Sequence, residues 1–227
     1  MALNKAHTSV WVKAMIIFLI ICFVSLFMYT GINGLIDLFQ PSGQTQSTTQ
    51  TPAQTLAAIN AKHQPTIDAL KVPAASKPAS YTAIVNLANA YFDWAQEIDT
   101  QVAGQSQPAT ATMMAAEQTW TLAQAQYNKA SKLKANDPNV QTDRAVSMFY
   151  SNEPTAAVTT IQKVLAQNPT FGPAWLNAGL FYESLGQNEQ AIIAYKKYVA
   201  IDPKANNVAF AKDRLSKLGV SGSTTTQ

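Results

Sequence analysis

The 227-residue sequence contains one cysteine and two histidines, and this scarcity excludes several kinds of site. The single cysteine, Cys22, can form neither an intrachain disulfide nor a thiolate metal cluster. His7 and His63 lie far apart, and neither belongs to a motif that would place it beside a nucleophile or an acid. Gly186 begins GQNEQ, which lacks the Lys and Ser of a phosphate-binding loop. We therefore expect no enzyme activity, no metal and no cofactor, and a surface position for His63.

Charge is also scarce, since only 13% of the residues are charged and the net charge is +3. A protein of this composition has no large basic field with which to hold a polyanion. Asp93 and Glu97 are four residues apart on a predicted helix, and such a pair is more typical of solvated helix surface than of acid/base catalysis. Nucleic acid is therefore not an expected partner.

Charged residues are missing altogether between residues 14 and 36. A helix of this length spans about 34 Å at 1.5 Å per residue, enough to cross a hydrocarbon core of about 30 Å. A cleaved signal peptide is the alternative, because Lys5 and Lys13 precede the run, but no small-x-small cleavage site follows it. We expect a single-pass membrane helix over 14–36. Lys5 and Lys13 precede the helix, and positive charge favours the cytoplasmic side of a membrane. We therefore expect a cytoplasmic stub over 1–13, a helix in a cell membrane and an extracytoplasmic domain after it.

Large apolar residues are absent from residues 40–55, which read QPSGQTQSTTQTPAQT. Such a segment cannot bury enough surface to offset the entropy of ordering, so we expect a flexible linker with a reach of about 20 to 25 Å. Residues 219–227 have the same character and are predicted to be a disordered tail. The chain between them, 56–218, has helical periodicity and is predicted to be one all-α domain.

A repeat becomes visible when the chain is aligned on itself with an offset of 34 residues. Small or apolar residues then coincide at six positions, and Asn152 coincides with Gly186 at a predicted turn. The paired residues are Ala145 and Gly179, Met148 and Tyr182, Ala157 and Ala191, Ile161 and Tyr195, Val164 and Tyr198, and Pro169 and Pro203. Agreement at one offset predicts stacked helical hairpins.

The last copy, AWLNAGLFYESLGQNEQAIIAYKKYVAIDP, resembles a tetratricopeptide repeat (TPR). In the preceding copy, 138–169, Gln141 replaces the aromatic residue of the motif and Arg144 replaces an apolar one. The earliest copy has 23 extra residues, predicted to form a lengthened loop and a long second helix from Ala109 to Lys134. The resemblance implies a right-handed solenoid of about three antiparallel hairpins.

Two further helices are predicted around the repeats. Leu56, Ile59, Ile67 and Leu70 have helical spacing before them, in a helix that we expect to bend or break near Pro65. Val208, Leu215 and Leu218 follow the repeats in an amphipathic segment, which is typical of the helix that caps a repeat stack.

In proteins of this kind the first helices of successive repeats line a groove for a protein or an extended peptide. Carried over by position, the groove comprises Val85, Asn89, Phe92, Thr142, Val146, Phe149, Tyr150, Leu176, Leu180 and Glu183. Only Asn89 is of the type that clamps a carboxylate, so an apolar to weakly polar groove is expected. The alternative is that Val146, Leu176 and Leu180 pack inside the short stack.

The layout is similar to that of bacterial membrane-anchored TPR proteins that accompany the protein-export channel. The leading hypothesis is an extracytoplasmic scaffold or adaptor that binds a protein near the membrane, in envelope protein export or folding. One alternative is a structural subunit of a fixed membrane complex for secretion, transport or cell-wall assembly. Another is a cytosolic domain of the kind found in anchored import receptors. The sequence predicts no oligomeric state.

Overall fold

The computed structural model describes residues 51–105 and 107–219. The helices in these ranges are α1 (Pro52–Ala74), α2 (Tyr81–Ala103), α3 (Thr110–Leu133), α4 (Pro138–Tyr150), α5 (Pro154–Gln167), α6 (Gly172–Ser184), α7 (Asn188–Ile201) and α8 (Val208–Lys217). No β-strand occurs in the described ranges, which confirms the all-α prediction for them. The predicted stub, the segment 14–36, most of the linker and the tail after residue 219 lie outside the described residues.

Length and hydropathy together decide whether a helix can cross a bilayer. Of the described helices α1 to α8, none is both long enough and apolar enough to do so.

Helices α2 to α7 form three hairpins, α2/α3, α4/α5 and α6/α7, and each hairpin packs against the next. The second and third hairpins have the same dimensions, with 13 residues in the first helix and 14 in the second. Proline begins α4 and α5 at the first helical position, where its missing N–H removes no hydrogen bond. The predicted stack of about three hairpins is therefore confirmed.

The turns of the second and third hairpins are equivalent in structure as well as in sequence. Asn152 and Gly186 both have left-handed backbones, with φ of 65° and 70°. The N–H of the following residue, Glu153 or Gln187, donates to the carbonyl of Met148 or Tyr182 at 2.9 and 2.8 Å. This is the Schellman end of a helix, for which Gly and Asn are the favoured residues. Each first helix therefore stops after the same number of residues.

Small residues let the two helices of a hairpin approach closely, as the repeat predicts. A Cβ atom on Gly179 would lie 2.5 Å from the ring of Tyr195, so the third hairpin requires glycine there. The second hairpin pairs Ala145 with Ile161, and both are fully buried. Ile161 is smaller than Tyr195, and this leaves room for Ala145 where the third hairpin has Gly179.

The first hairpin is larger than the others because both of its helices are extended. α3 closely follows the prediction for a long second helix, but the predicted lengthened loop is wrong in part, since α2 continues to Ala103. Ile98 and Ala116 are buried in one cluster, so the additional turns of both helices carry core residues. Packing between the extensions accounts for helix where the sequence predicted loop.

α1 and α8 cover the two ends of the stack. α1 begins at Pro52, inside the predicted linker, because Thr51 and Gln54 form a capping box. Of the bend or break predicted near Pro65, the break is wrong, since the helix continues to Ala74 and buries Ile67, whereas the bend stays a prediction. α8 buries Val208 and Ala211 against the aromatic residues of α7, as predicted for a capping helix.

Candidate functional site

A groove of about 490 Å³ opens between the three hairpins. Its walls come from α2, α3, α4 and α6, and Asn207 before α8 closes one end. The predicted groove residues that line it are Phe92, Val146, Tyr150, Leu176 and Leu180. Val146 is buried, and Leu176 and Leu180 are half-buried against core clusters, so these three side chains serve both the core and the groove wall.

Three aromatic side chains form one wall of the groove. The Trp120 ring of α3 is buried, and Phe92 meets it edge-on at 4.8 Å between ring centroids. Tyr150 stacks on the Trp120 ring at 5.0 Å and remains 46% exposed. Each ring is thus held by another ring, and the exposed tyrosine presents a rigid apolar surface with a hydroxyl group.

Two carboxyl groups, those of Asp99 and Asp143, lie in the same groove. The Trp120 indole N–H donates to Asp99 Oδ2 at 2.6 Å. Burial raises the pKa of Asp99, although that hydrogen bond opposes the rise. Burial, followed by repulsion from Asp137 and Asp93, raises the pKa of Asp143 to about 6. Asp143 is therefore ionised in large part at neutral pH, and the two carboxyl groups give the groove an acidic character.

Among the described residues that line the groove, none is a lysine or an arginine. The groove is more polar than the expected apolar to weakly polar surface, because its lining includes two carboxyl groups as well as uncharged polar side chains. A groove of this kind is complementary to a segment that carries a basic residue among apolar ones.

Two of the remaining predicted residues are engaged in the core instead. Thr142 is buried at 2% exposure, and Phe149 stacks on Phe181 of the next hairpin at 4.5 Å with nearly parallel rings. Both side chains lie on the groove helix, α4, but they point into the packing between helices. The sequence prediction placed both residues in the groove because it carried positions over from the repeat and assumed that one whole face of each first helix is free of contacts with other helices.

Val85, Asn89 and Glu183 also lie outside the groove. Val85 packs against the apolar cluster beneath α1, and Asn89 accepts a hydrogen bond from the Tyr127 hydroxyl at 2.8 Å. Glu183 forms an ion pair with Arg214 of the capping helix and accepts a hydrogen bond from Tyr195 at 2.8 Å. These three side chains, which were predicted to face a partner, instead make contacts within the chain. Val85 and Asn89 do so in the first hairpin, and Glu183 does so with the capping helix.

The sequence reasoning missed eight residues of the groove lining. They are Gln96, Asp99, Thr100, Ala103, Trp120, Asp143, Asn177 and Asn207. Four of them continue the helical stripe of Phe92 along the extension of α2, so extending that stripe by periodicity would have found them. Trp120 had no such signal, because it comes from α3, a second helix, whereas the prediction took groove residues from first helices alone.

His63 differs from the prediction of a surface role. Its side chain is only 14% exposed, its ring is parallel to that of Trp94, and Nε2 lies 2.7 Å from Glu97 Oε2. Lys62 pairs with the same carboxylate at 2.6 Å. These contacts join α1 to α2, so Glu97 is part of a helix joint and not free surface. Among the described residues, no group of three or more His, Cys, Asp and Glu side chains could hold a metal.

Comparison with known proteins agrees with the repeat architecture. Residues 172–205 match the model of the tetratricopeptide repeat family, so the chain contains a tetratricopeptide repeat where α6 and α7 form the third hairpin. The solved structure of MamA superposes with a TM-score of 0.52, at 20% identity, over 72% of this chain and 82% of that one. A TPR protein of Thermus thermophilus superposes with a TM-score of 0.53, at 15% identity, over 78% and 85%. These likenesses show the TPR fold.

Two curated proteins are similar in sequence over shorter stretches. Serine/threonine-protein phosphatase T of Trypanosoma brucei brucei is 35% identical over 101 residues, which are 44% of this chain and 21% of that protein. Small glutamine-rich tetratricopeptide repeat-containing protein 2 of Mycosarcoma maydis is 29% identical over 94 residues, 40% of this chain and 27% of that protein. The chain thus matches only about a quarter of the length of these relatives.

Proposed function

We propose that this chain is a membrane-anchored scaffold or adaptor that uses its groove to bind an extended segment of another protein, without enzyme activity of its own. The observation that carries the proposal is the groove, where an aromatic wall, aliphatic side chains and two carboxylates face one open space. A segment with a lysine or arginine flanked by apolar residues complements these groups in charge and in polarity.

Photo-crosslinking from the groove tests this proposal in membranes that contain the full chain. A photoreactive amino acid at Leu176 or Tyr150 should capture a protein partner. The same residue at Ile193, which is 56% exposed on α7 and does not line the groove, is the matched control. Capture at Ile193 alone, or equal capture at all three positions, would contradict a groove-directed partner.

Removal of the carboxylates tests whether the partner supplies a basic residue. Asp99→Asn and Asp143→Asn each remove one carboxylate without changing the shape of the groove, and each should weaken crosslinking from Leu176 roughly tenfold. Unchanged crosslinking in both variants would leave a groove function but exclude recognition of a basic side chain.

We also propose that residues 14–36 anchor the chain in a cell membrane, with the N-terminus cytoplasmic and the repeats extracytoplasmic. The uncharged run and the lysines before it support this placement. In a Cys22→Ala background, Ser47→Cys should react with a membrane-impermeant thiol reagent in intact cells, whereas Asn4→Cys should react only after permeabilisation. The reverse pattern would place the repeats in the cytosol. In the extracytoplasmic case, the similar layout supports a role in envelope protein export or folding.

A fixed structural subunit is the second candidate function, because apolar side chains are exposed outside the groove. Met113, Met114 and Leu122 on α3 are 43%, 64% and 38% exposed. A fixed subunit should co-purify with one partner in constant stoichiometry, and Met114→Lys should disrupt that complex while the crosslinks from Leu176 persist. An adaptor should instead give several crosslinked partners from Leu176.

A further inference from the structure

A pocket of about 250 Å³, separate from the groove, lies between the second hairpin, the end of α3 and the connection that follows α3. The polar side chains around it are Ser131, Asn136, Gln141, Arg144, Thr160, Lys163 and Gln167. Gln141 and Arg144 lie on α4, the helix that also contributes to the groove. Because successive residues of a helix are about 100° apart, they face away from Asp143 and Val146, which line the groove.

The pocket exists because the second hairpin lacks the aromatic ring of the third. In the third hairpin the indole N–H of Trp175 donates to the Pro169 carbonyl at 2.8 Å. The residues 34 positions earlier repeat this bond, since Gln141 Nε2 donates to the Ala135 carbonyl at 2.7 Å. Glutamine therefore keeps the hydrogen bond of the tryptophan but leaves the volume of the ring unfilled.

Arg144 occupies a position that is apolar in the other two hairpins, where Leu87 and Ala178 are buried. Its Nε is buried and has no hydrogen-bond partner among the described residues. Neither Arg144 nor Lys163 forms a salt bridge within the described ranges, and no Asp or Glu lines the pocket. A half-buried guanidinium without an anionic partner is costly, so an anion in this space would be stabilised.

We propose that this pocket binds a single oxyanion of the carboxylate or phosphate type. Arg144 and Lys163 supply the positive charge, and the Asn136 amide can donate a hydrogen bond to an oxygen. The Ser131 and Thr160 hydroxyls also line the pocket, but they already donate to the Tyr127 carbonyl and to Met148 Sδ. The guanidinium plane suits the two oxygens of either anion. The space is several times the volume of one water in the liquid, about 30 Å³, so it admits the anion with part of the molecule that carries it.

Melting curves of the full chain in detergent micelles test the proposal at pH 7 and constant ionic strength, with sodium phosphate and sodium acetate as separate probes. We expect a saturable rise in melting temperature with at least one anion. A rise with phosphate alone would identify a phosphate group as the ligand type, and a rise with acetate alone would identify a carboxylate. A rise with both would show that the pocket recognises the oxyanion chemistry that the two share. No saturable rise with either anion would overturn the proposal.

Position-matched variants locate the binding. Lys163→Gln changes an exposed residue and should weaken the anion affinity about tenfold or more, because a charge-assisted contact is lost. Lys197→Gln removes the lysine at the equivalent place in the third hairpin and should leave the affinity unchanged. Gln141→Trp should abolish binding by filling the pocket. Equal affinity in the chain with Lys163→Gln, or equal loss with Lys197→Gln, would show that the anion acts elsewhere.

Discussion

The second and third hairpins share helix lengths and turn geometry, but the side chains of their first helices differ, and four of these differences change what surrounds the helix. The pairs, each 34 residues apart, are Gln141 and Trp175, Asp143 and Asn177, Arg144 and Ala178, and Phe149 and Glu183. Three of the residues in the second hairpin are polar or charged and half-buried. The third hairpin places tryptophan and alanine at two of these positions and buries both partly or fully.

This difference distinguishes the side-chain contacts that both hairpins keep from the side chains that form a pocket in one of them. The bond to the carbonyl before the first helix is made by an amide in the second hairpin and by an indole in the third, so these two hairpins keep it with different side chains. The aromatic volume and the apolar partner at Arg144 are not required, and their replacement opens a charged pocket. Phe149 packs on the following hairpin, whereas Glu183 pairs with the capping helix, because the stack ends there.

The largest effect is expected from Gly179→Ala, which makes the third hairpin like the second at one residue only. The added Cβ would lie 2.5 Å from the Tyr195 ring, and the overpacking should lower the free energy of unfolding by about 1 to 3 kcal/mol. Adding Tyr195→Ile reproduces the pair found in the second hairpin. Chemical denaturation of the two single variants and the double variant should show a double variant more stable than the sum of the single effects. Additive effects would mean that the two residues do not share this packing constraint.

Exchanging tryptophan and glutamine between the two equivalent positions should change stability in opposite directions in the two hairpins. Trp175→Gln keeps a donor for the Pro169 carbonyl but removes the ring from two core clusters, so stability should fall by about 1 to 3 kcal/mol. Gln141→Trp fills the pocket and should raise stability by up to about 1 kcal/mol. Melting temperatures without added anion measure both changes. A loss of stability with Gln141→Trp would show that Arg144 and Lys163 do not leave room for the ring.

Asp143→Asn converts the carboxyl of the second hairpin into the amide of the third and should be stabilising at neutral pH. The pKa of Asp143 is raised to about 6 from its ordinary value of 3.8, so ionisation destabilises the folded state as the pH rises from about 4 to 6. The variant should gain on the order of 1 to 2 kcal/mol at pH 7, and the gain should vanish near pH 4. Unfolding curves between pH 4 and pH 8 measure this. A gain that does not depend on pH would assign the effect to packing.

The smallest effect is expected at the turns. Asn152→Gly places glycine at a left-handed position with φ of 65°, and Gly186→Asn does the reverse at φ of 70°. Both residues are tolerated there, glycine better than asparagine, so the two variants should change stability by less than about 1 kcal/mol with opposite signs. Gly186→Val is the control, because a β-branched residue is strained at positive φ and should cost more than the asparagine.

The repeat was predictable because its signals are local. Gly179, Ala191 and the turn residues Asn152 and Gly186 recur at one offset, and the contacts they make lie within one hairpin. The groove was predictable only where a first helix contributes side chains that no other element covers, as with Tyr150 and Leu176. Glu183 and Asn89 could not be assigned correctly, since their partners Arg214 and Tyr127 lie 31 and 38 residues away.

The sequence by itself determined the helical hairpins, their turns and the capping helix, because periodicity, small residues and helix-ending residues act over a few turns of chain. Only the tertiary structure decided that α1 continues through Pro65, that the added turns of α2 bring Asp99 into the groove beside Trp120 of α3, and that Gln141 leaves a pocket beside Arg144. Each of these outcomes depends on the volume and charge that other helices supply, and no pattern within a single segment of the chain contains that information.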